Sequence, residues 1–214
     1  DIKAALAGNV GDVYTGNVTI NDANGVGIAA TDITTIESDT TGTITVSNNI
    51  NLTGTSAQIV AAVADVNTFS GTPTATLGDA HTLAELKAIN NKLSGTLTLN
   101  NYTVALSGSS ADVAAALAGT FADTYSGTAT LNDNHTLAEL VAINNGTTGN
   151  ITLNSNAVAL TGSTSDVKAA LAGNVGAVYT GNIVLNDGNG TGIAATDITT
   201  IESDTTGTIT VSNN

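Results

Sequence analysis

Four aspartates recur at the turns of this 214-residue chain, Asp22, Asp79, Asp133 and Asp187, with amide side chains and glycines beside them. Hard oxygen donors around a tight glycine turn are the chemistry that holds calcium. The two longest turns, "NDANGVG" at 21–27 and "NDGNGTG" at 186–192, make Asp22, Asn24, Asp187 and Asn189 the candidate calcium ligands. The pattern departs from the familiar calcium loops: an EF-hand needs more acids at fixed spacing and a closing glutamate, and the nonapeptide GGxGxDxUx is absent. Asx turns that join strand to helix account for the same residues and are the preferred reading.

Two histidines follow the turn aspartates, His81 in "GDAHT" and His135 in "NDNHT". Imidazole beside carboxylate is a pairing used for metal binding and for acid–base work, but a single histidine per repeat does not make a ligand set. Each is read instead as a residue at the edge of a helix cap. Serine and threonine are abundant, yet there is no G-x-S-x-G elbow and no third group to orient a base. "GNG" and "GTG" lack the lysine and the βαβ context of a phosphate loop. No catalytic or cofactor-binding residue is assigned, and an enzyme is not expected.

The elements that must position these residues come from a tandem repeat. Residues 1–49 return at 166–214 with 42 of 49 positions identical, an offset of 165. Within that super-repeat lie the units 1–57, 58–111 and 112–165, and an incomplete fourth occupies 166–214. The clearest copy is 132–160, "NDNHTLAELVAINNGTTGNITLNSNAVAL".

Each unit divides into two halves, each a short helix followed by strand. In "SSADVAAALAG", Val113 and Leu117 are four apart and Gly119 follows as a stop. In "HTLAELVAINN", Leu137, Leu140 and Ile143 share one helical face. The inserted variant keeps Ile33 and Ile36 at the last two of these positions. Five starts carry a capping sequence: Thr55 with Gln58, Thr82 with Glu85, Ser109 with Asp112, Thr136 with Glu139, and Ser163 with Asp166. "TATLN" and "NITLN" alternate with period two as half-buried strands, and "AVALTG" reads as a further strand closing the unit. Pro73 should sit at a strand entrance.

The expected architecture is an α/β repeat solenoid, one continuous array over 1–214, in which parallel strands stack in ladders and short capped helices form the opposite wall. Right-handed winding is expected, and about eight coils would make a rod roughly 40 Å long. An all-β right-handed β-helix, with the capped segments extended, is the alternative fold. Asp1 aligns with Asp112 and Asp166, inside a capping sequence, and Asn214 follows a strand. Neither end reads as a polar cap, so an excerpt of a longer array, or a subunit stacking head to tail, is expected.

Composition bounds the partners. The chain is 41% hydrophobic and only 10% charged, which argues for a folded protein. Aromatics are 3%, with no Trp, Met or Cys, so the core must be thin layers of Ala, Val, Ile and Leu. A formal charge of -14 repels nucleic-acid phosphates and anionic membrane surfaces, and no apolar run is long enough to insert in a bilayer as a helix. The absence of cysteine removes disulfide and thiolate chemistry.

Three surface features remain. Outward Thr and Asn on "TLTLN", "TATLN" and "NITLN" could order water, which makes ice binding an alternative role, though Asn, Ala and Val interrupt the ranks. Seven N-x-T sequons, at Asn17, Asn51, Asn101, Asn134, Asn145, Asn150 and Asn189, permit glycan modification in a secretory route. Tyr14, Tyr125 and Tyr179 share one repeat position and are expected to stack as a ladder.

In "HTLAELKAINN", "SGSSADVAAALAGTF" and "GTATLNDNHTLAEL" the chain resembles the repeat regions of giant secreted or cell-surface proteins of bacteria, cyanobacteria among them. The resemblance spans all four units. It implies an extracellular protein of adhesive or matrix-forming type, and it carries over no catalytic residue. The expected function is a structural, self-associating component of an extracellular filament, sheath or adhesin stalk, touching other copies and surface polysaccharide. A calcium-binding adhesin module or an ice-binding solenoid is the alternative.

Overall fold

The computed structural model describes residues 2–7 and 13–212. The expectations attached to Asp1 and Asn214 lie outside them. The chain forms two compact units, one of residues 1–101 with 119–123 and one of 102–118 with 124–214.

In the first unit the order is α1 (Ile2–Leu6), β1 (Val18–Ile20), β2 (Gly27–Ala29), α2 (Ala30–Ser38), β3 (Ile44–Val46), β4 (Asn51–Gly54), α3 (Ser56–Asp65), β5 (Thr68–Phe69), β6 (Thr74–Leu77), α4 (Leu83–Asn90) and β7 (Leu97–Thr98). The strands lie in two parallel ladders, β1-β3-β5 and β2-β4-β6-β7. Helix α1 packs on α2, α2 on α3, and α3 on α4.

The second unit runs β8 (Leu106–Gly108), α5 (Ser110–Leu117), β9 (Ala129–Leu131), α6 (Leu137–Gly146), β10 (Ile151–Thr152), β11 (Leu160–Gly162), α7 (Thr164–Leu171), β12 (Ile183–Leu185), α8 (Ala195–Asp204) and β13 (Ile209–Val211). Its ladders, also parallel, are β8-β9-β10 and β11-β12-β13. Helices α5, α6, α7 and α8 pack in that sequence.

The molecule is thus α/β, with short parallel strands alternating with helices. The all-β alternative gives way because the capped segments are helical. Thr55, Thr82 and Thr136 form the complete reciprocal box, in which the cap hydroxyl accepts from the backbone three residues on and Gln58, Glu85 or Glu139 reaches back. Ser109 and Ser163 accept the forward bond from the N–H of Asp112 and Asp166. Aspartate is one methylene shorter, and Asp166 meets the Ser163 hydroxyl at 2.7 Å. Helices α2 and α8 have Ala29 and Ala194 at the N-cap position, which offer no side-chain cap.

The core is aliphatic. Leu140 and Ile143 of α6 are fully buried, as are Ile33 in α2 and Val113 in α5. Inward strand residues are buried as well, Ile44, Leu52, Ala75 and Leu97 in the first unit and Leu106 and Ile151 in the second. Layers this thin follow from side chains that pack without polar atoms and with few rotamers. Pro73 directly precedes β6, where its missing N–H costs no ladder bond.

Two local expectations need correction. The strand expected over "AVALTG" is confined to Leu160–Gly162. Helix α5 ends at Leu117, and Gly119 is not in the left-handed region; a Cβ there would fall 2.0 Å from Asn90 Oδ1, so this glycine serves close approach. The left-handed glycines Gly25 (φ 78°) and Gly190 (φ 80°) instead shape the two inserted turns. Each turn is closed by a backbone bond, Val26 N–H to Ala23 C=O at 3.1 Å and Thr191 N–H to Gly188 C=O at 2.9 Å.

Candidate functional site

Three of the four turn aspartates, Asp79, Asp133 and Asp187, are helix caps acting between repeat halves. Asp79 Oδ1 accepts from Ser56 N–H at 2.7 Å, at the first residue of α3. Asp133 Oδ1 does the same for Ser110 of α5 at 2.7 Å. Asp187 accepts from Thr164 of α7, from the N–H at 3.1 Å and the hydroxyl at 2.6 Å. A carboxylate at a helix N-terminus satisfies an orphan N–H and meets the positive end of the helix dipole. The Thr164 hydroxyl holds the Asp187 carboxyl below its usual range. The aspartates therefore join a turn to the helix 23 residues earlier in the chain.

Of the other calcium candidates, Asn24 Oδ1 accepts from Asn49 N–H at 2.9 Å. Asp22 is exposed, and its backbone carbonyl accepts from Asn48 Nδ2 at 2.9 Å. Asn189 is exposed in the second inserted turn. Asp22 and Asn24 belong to the first unit, Asp187 and Asn189 to the second. No group of three or more His, Asp or Glu placed to hold a metal ion occurs among the described residues.

Around Asp133 the cap extends into a network. Glu139 accepts from Thr136 N–H at 2.8 Å, from the Thr136 hydroxyl at 2.9 Å and from the Ser110 hydroxyl at 3.0 Å. The bond from the Thr136 N–H, with these hydroxyls, holds its carboxyl below the usual range against burial and the Asp133 charge. His135, immediately before the cap, is 2% exposed. Its Nε2 lies 3.0 Å from the Tyr179 hydroxyl, and that hydroxyl donates to Val158 C=O at 2.6 Å. The rings meet edge-on, with centroids 5.9 Å apart and planes at 63°. Burial pushes the His135 pKa down, while Glu139 and Asp133 act in the opposite sense. Burial also pushes the Tyr179 phenol up.

The tyrosine position therefore does something other than the expected stacking. Tyr125 donates to Val104 C=O at 2.7 Å, as Tyr179 does to Val158, each pinning a carbonyl 21 residues back. The ring partner of Tyr179 is His135. Tyr14, at the same repeat position, is 41% exposed.

Sequence reasoning passed over the most regular polar device in the molecule. The tripeptide Thr-Thr-Gly recurs at 40–42, 147–149 and 205–207. In each, the first threonine is buried, at 6%, 3% and 7% exposure. Thr147 donates to Gly127 C=O at 2.7 Å and accepts from Gly149 N–H at 2.9 Å. Thr40 makes the equivalent bonds, each 3.0 Å, to Gly16 C=O and from Gly42 N–H. Thr205 donates to Tyr179 C=O at 3.0 Å and accepts from Gly207 at 2.9 Å. The glycine is required because the backbones touch: a Cβ on Gly149 would lie 2.2 Å from Gly127 O. The recurrence of "TTG" before a strand, 20 or 24 residues after another glycine, was the available signal.

Outward threonines register in columns, Thr19-Thr45-Thr68, Thr53-Thr76-Thr98 and Ser107-Thr130-Thr152, and Val184 stands between Thr161 and Thr210. In the first unit they bond to one another through Asn51, whose Nδ2 donates to Thr76 Oγ1 and whose Oδ1 accepts from Thr74 Oγ1, both at 3.1 Å. Among the sequon asparagines, Asn17 accepts from Thr43 N–H at 3.0 Å, so its side chain is engaged between segments.

A cleft of about 400 Å³ in the first unit is lined by Ile2, Ile20, Val26, Ile28, Ile33 and Ile36 together with Lys3, Asp22 and Asp32. Its one base, Lys3, is paired with Asp32, as Lys168 is with Asp197 in the second unit. The cleft brings together no nucleophile and oriented base. No helix among the described residues is long and apolar enough to cross a membrane. No protein-family model, curated protein or solved structure matches this chain.

Proposed function

We propose that the chain is a solenoid of structural function, a self-associating part of an extracellular filament, sheath or adhesin stalk. The observation that carries this reading is the use made of its polar side chains. Asp79, Asp133 and Asp187 tie a turn to the preceding helix at the same repeat position, and Thr40, Thr147 and Thr205 tie backbone to backbone at another. Residues that would be free to act on a ligand in an enzyme here join one repeat half to another, the aspartates across repeat units and the threonines within them. Stability that is a sum of near-neighbour interfaces is the property of a stacked array.

The two 49-residue copies show what covers a repeat. Ala30, Ile33 and Val46 are fully buried where α3 and β5 cover them, whereas their counterparts are less covered: Ala195 is exposed, Ile198 half-buried, and Val211 50% exposed. Each repeat half thus relies on the next to bury its apolar face. Self-association is an expectation taken from the resemblance to secreted bacterial repeat proteins. The placement outside the cell follows the resemblance to secreted bacterial repeat proteins.

Sedimentation of the purified chain over a hundredfold range of concentration, with electron microscopy of the same samples, tests the proposal. Mass should rise with concentration and particles should lengthen along one axis. Monodisperse particles of one chain at every concentration would refute self-association.

A further inference from the structure

We propose that His135, Tyr179 and Val158 form an acid-labile clasp in the second unit. The clasp joins three segments: the turn before α6, the residues before β11 and the residues before β12. It holds while the imidazole is neutral and opens when the ring takes a second proton.

The geometry dictates the tautomer. The Tyr179 hydroxyl has one proton and donates it to Val158 C=O at 2.6 Å. Its oxygen can then only accept from His135, so Nε2, 3.0 Å away, must carry the ring proton. Nδ1 is left as the bare nitrogen. It is buried and has no hydrogen-bond partner.

A neutral ring bears only the desolvation of one unused acceptor, a smaller cost than that of a buried, unpaired charge. Protonation would place an N–H donor and a positive charge at Nδ1, where no acceptor meets it. The ring must then either move Nδ1 to water or disfavour the folded arrangement, and either course breaks the bond to Tyr179. The carboxylates that act on the ring, Asp133 of the same turn and Glu139 of α6, favour the protonated form. Both already accept hydrogen bonds from α5 or the α6 cap, and burial outweighs them. On α7, Asp166 bonds the Ser163 hydroxyl, and Asp187 after β12 bonds Thr164. Tyr179 itself stays protonated throughout, since burial raises its phenol.

The sign of the pH effect follows. A histidine whose folded pKa lies below its ordinary 6.5 binds fewer protons folded than unfolded. Stability is complete above about pH 6.5 and declines as pH falls through that value toward the folded pKa. One proton taken up on unfolding lowers the folding equilibrium constant by at most about tenfold per pH unit. The only other histidine, His81, is also buried, at 3% exposure, and its pKa is likewise lowered by burial. The two together set a limit of about 100-fold per pH unit.

Urea unfolding of the 214-residue chain at pH 7.5, 6.5 and 5.5 should show this decline. In His135→Gln the amide Nε2 can still donate to Tyr179, but the group no longer titrates. That variant should match the wild type least well at pH 5.5, where it should be the more stable, with the limiting slope cut from about 100-fold to about 10-fold per pH unit. An equal decline in variant and wild type would overturn the clasp. Should the variant fail to fold, long-range 15N–1H spectra of the wild-type imidazoles decide the matter. The proposal requires a neutral Nε2–H tautomer that persists below pH 6.5. A resonance that titrates at or above that value, or an Nδ1–H tautomer, would overturn it.

Discussion

Replacing Thr147 by valine tests the bond pattern that recurs in every Thr-Thr-Gly segment. Valine has the shape of threonine, so neither cavity nor overpacking intervenes, and only the hydroxyl is lost. That hydroxyl donates to Gly127 C=O at 2.7 Å and accepts from Gly149 N–H at 2.9 Å, in a residue 3% exposed. Each partner left without a bond in a buried setting costs about 1–3 kcal/mol. Burying a methyl in place of the hydroxyl returns about 0.8 kcal/mol. The expected loss is therefore about 3 kcal/mol in urea unfolding followed by far-UV circular dichroism. Thr148→Val is the control: that residue is exposed, and its hydroxyl makes a single long contact of 3.4 Å to Tyr125 C=O. It should lie within about 0.5 kcal/mol of the wild type. If the two variants unfold at the same urea concentration, the buried threonine is not what ties these backbones together.

Glu139→Gln should be close to wild type at neutral pH, because the amide oxygen can still accept from Thr136 N–H. Below the ordinary glutamate value of 4.5 the comparison changes. The folded carboxyl titrates lower than the unfolded one, so the wild type loses stability as pH falls through that range and the glutamine variant loses less. Acid unfolding curves for both proteins that run parallel between pH 5 and pH 3 would contradict the network. The two copies of the apolar surface can be separated by Val46→Ala and Val211→Ala, since Val46 is fully buried and Val211 is 50% exposed. The first should cost about 2 kcal/mol and the second less than about 0.5 kcal/mol in urea unfolding of dilute protein.

What the sequence determined by itself was local. The five capping starts, the inward alternation of the strands and the position of Pro73 are all legible because each depends on residues a few positions apart. The repeat is legible too, since it is identity at a fixed offset, and from it follow helices and strands in alternation. What only the tertiary structure decided lies at separations of about 20 to 45 residues. That Asp133 caps α5 and not its own helix, that Thr147 reaches Gly127, and that His135 meets Tyr179 are consequences of ladder register. Register is set by how the aliphatic layers seat against one another, and nothing in the neighbours of a given aspartate, threonine or histidine reports it. The turn that looked like a calcium loop is the clearest case. Its oxygen donors are the right kind for a metal, but helix N-termini 23 residues earlier in the chain use the carboxylates of Asp79, Asp133 and Asp187.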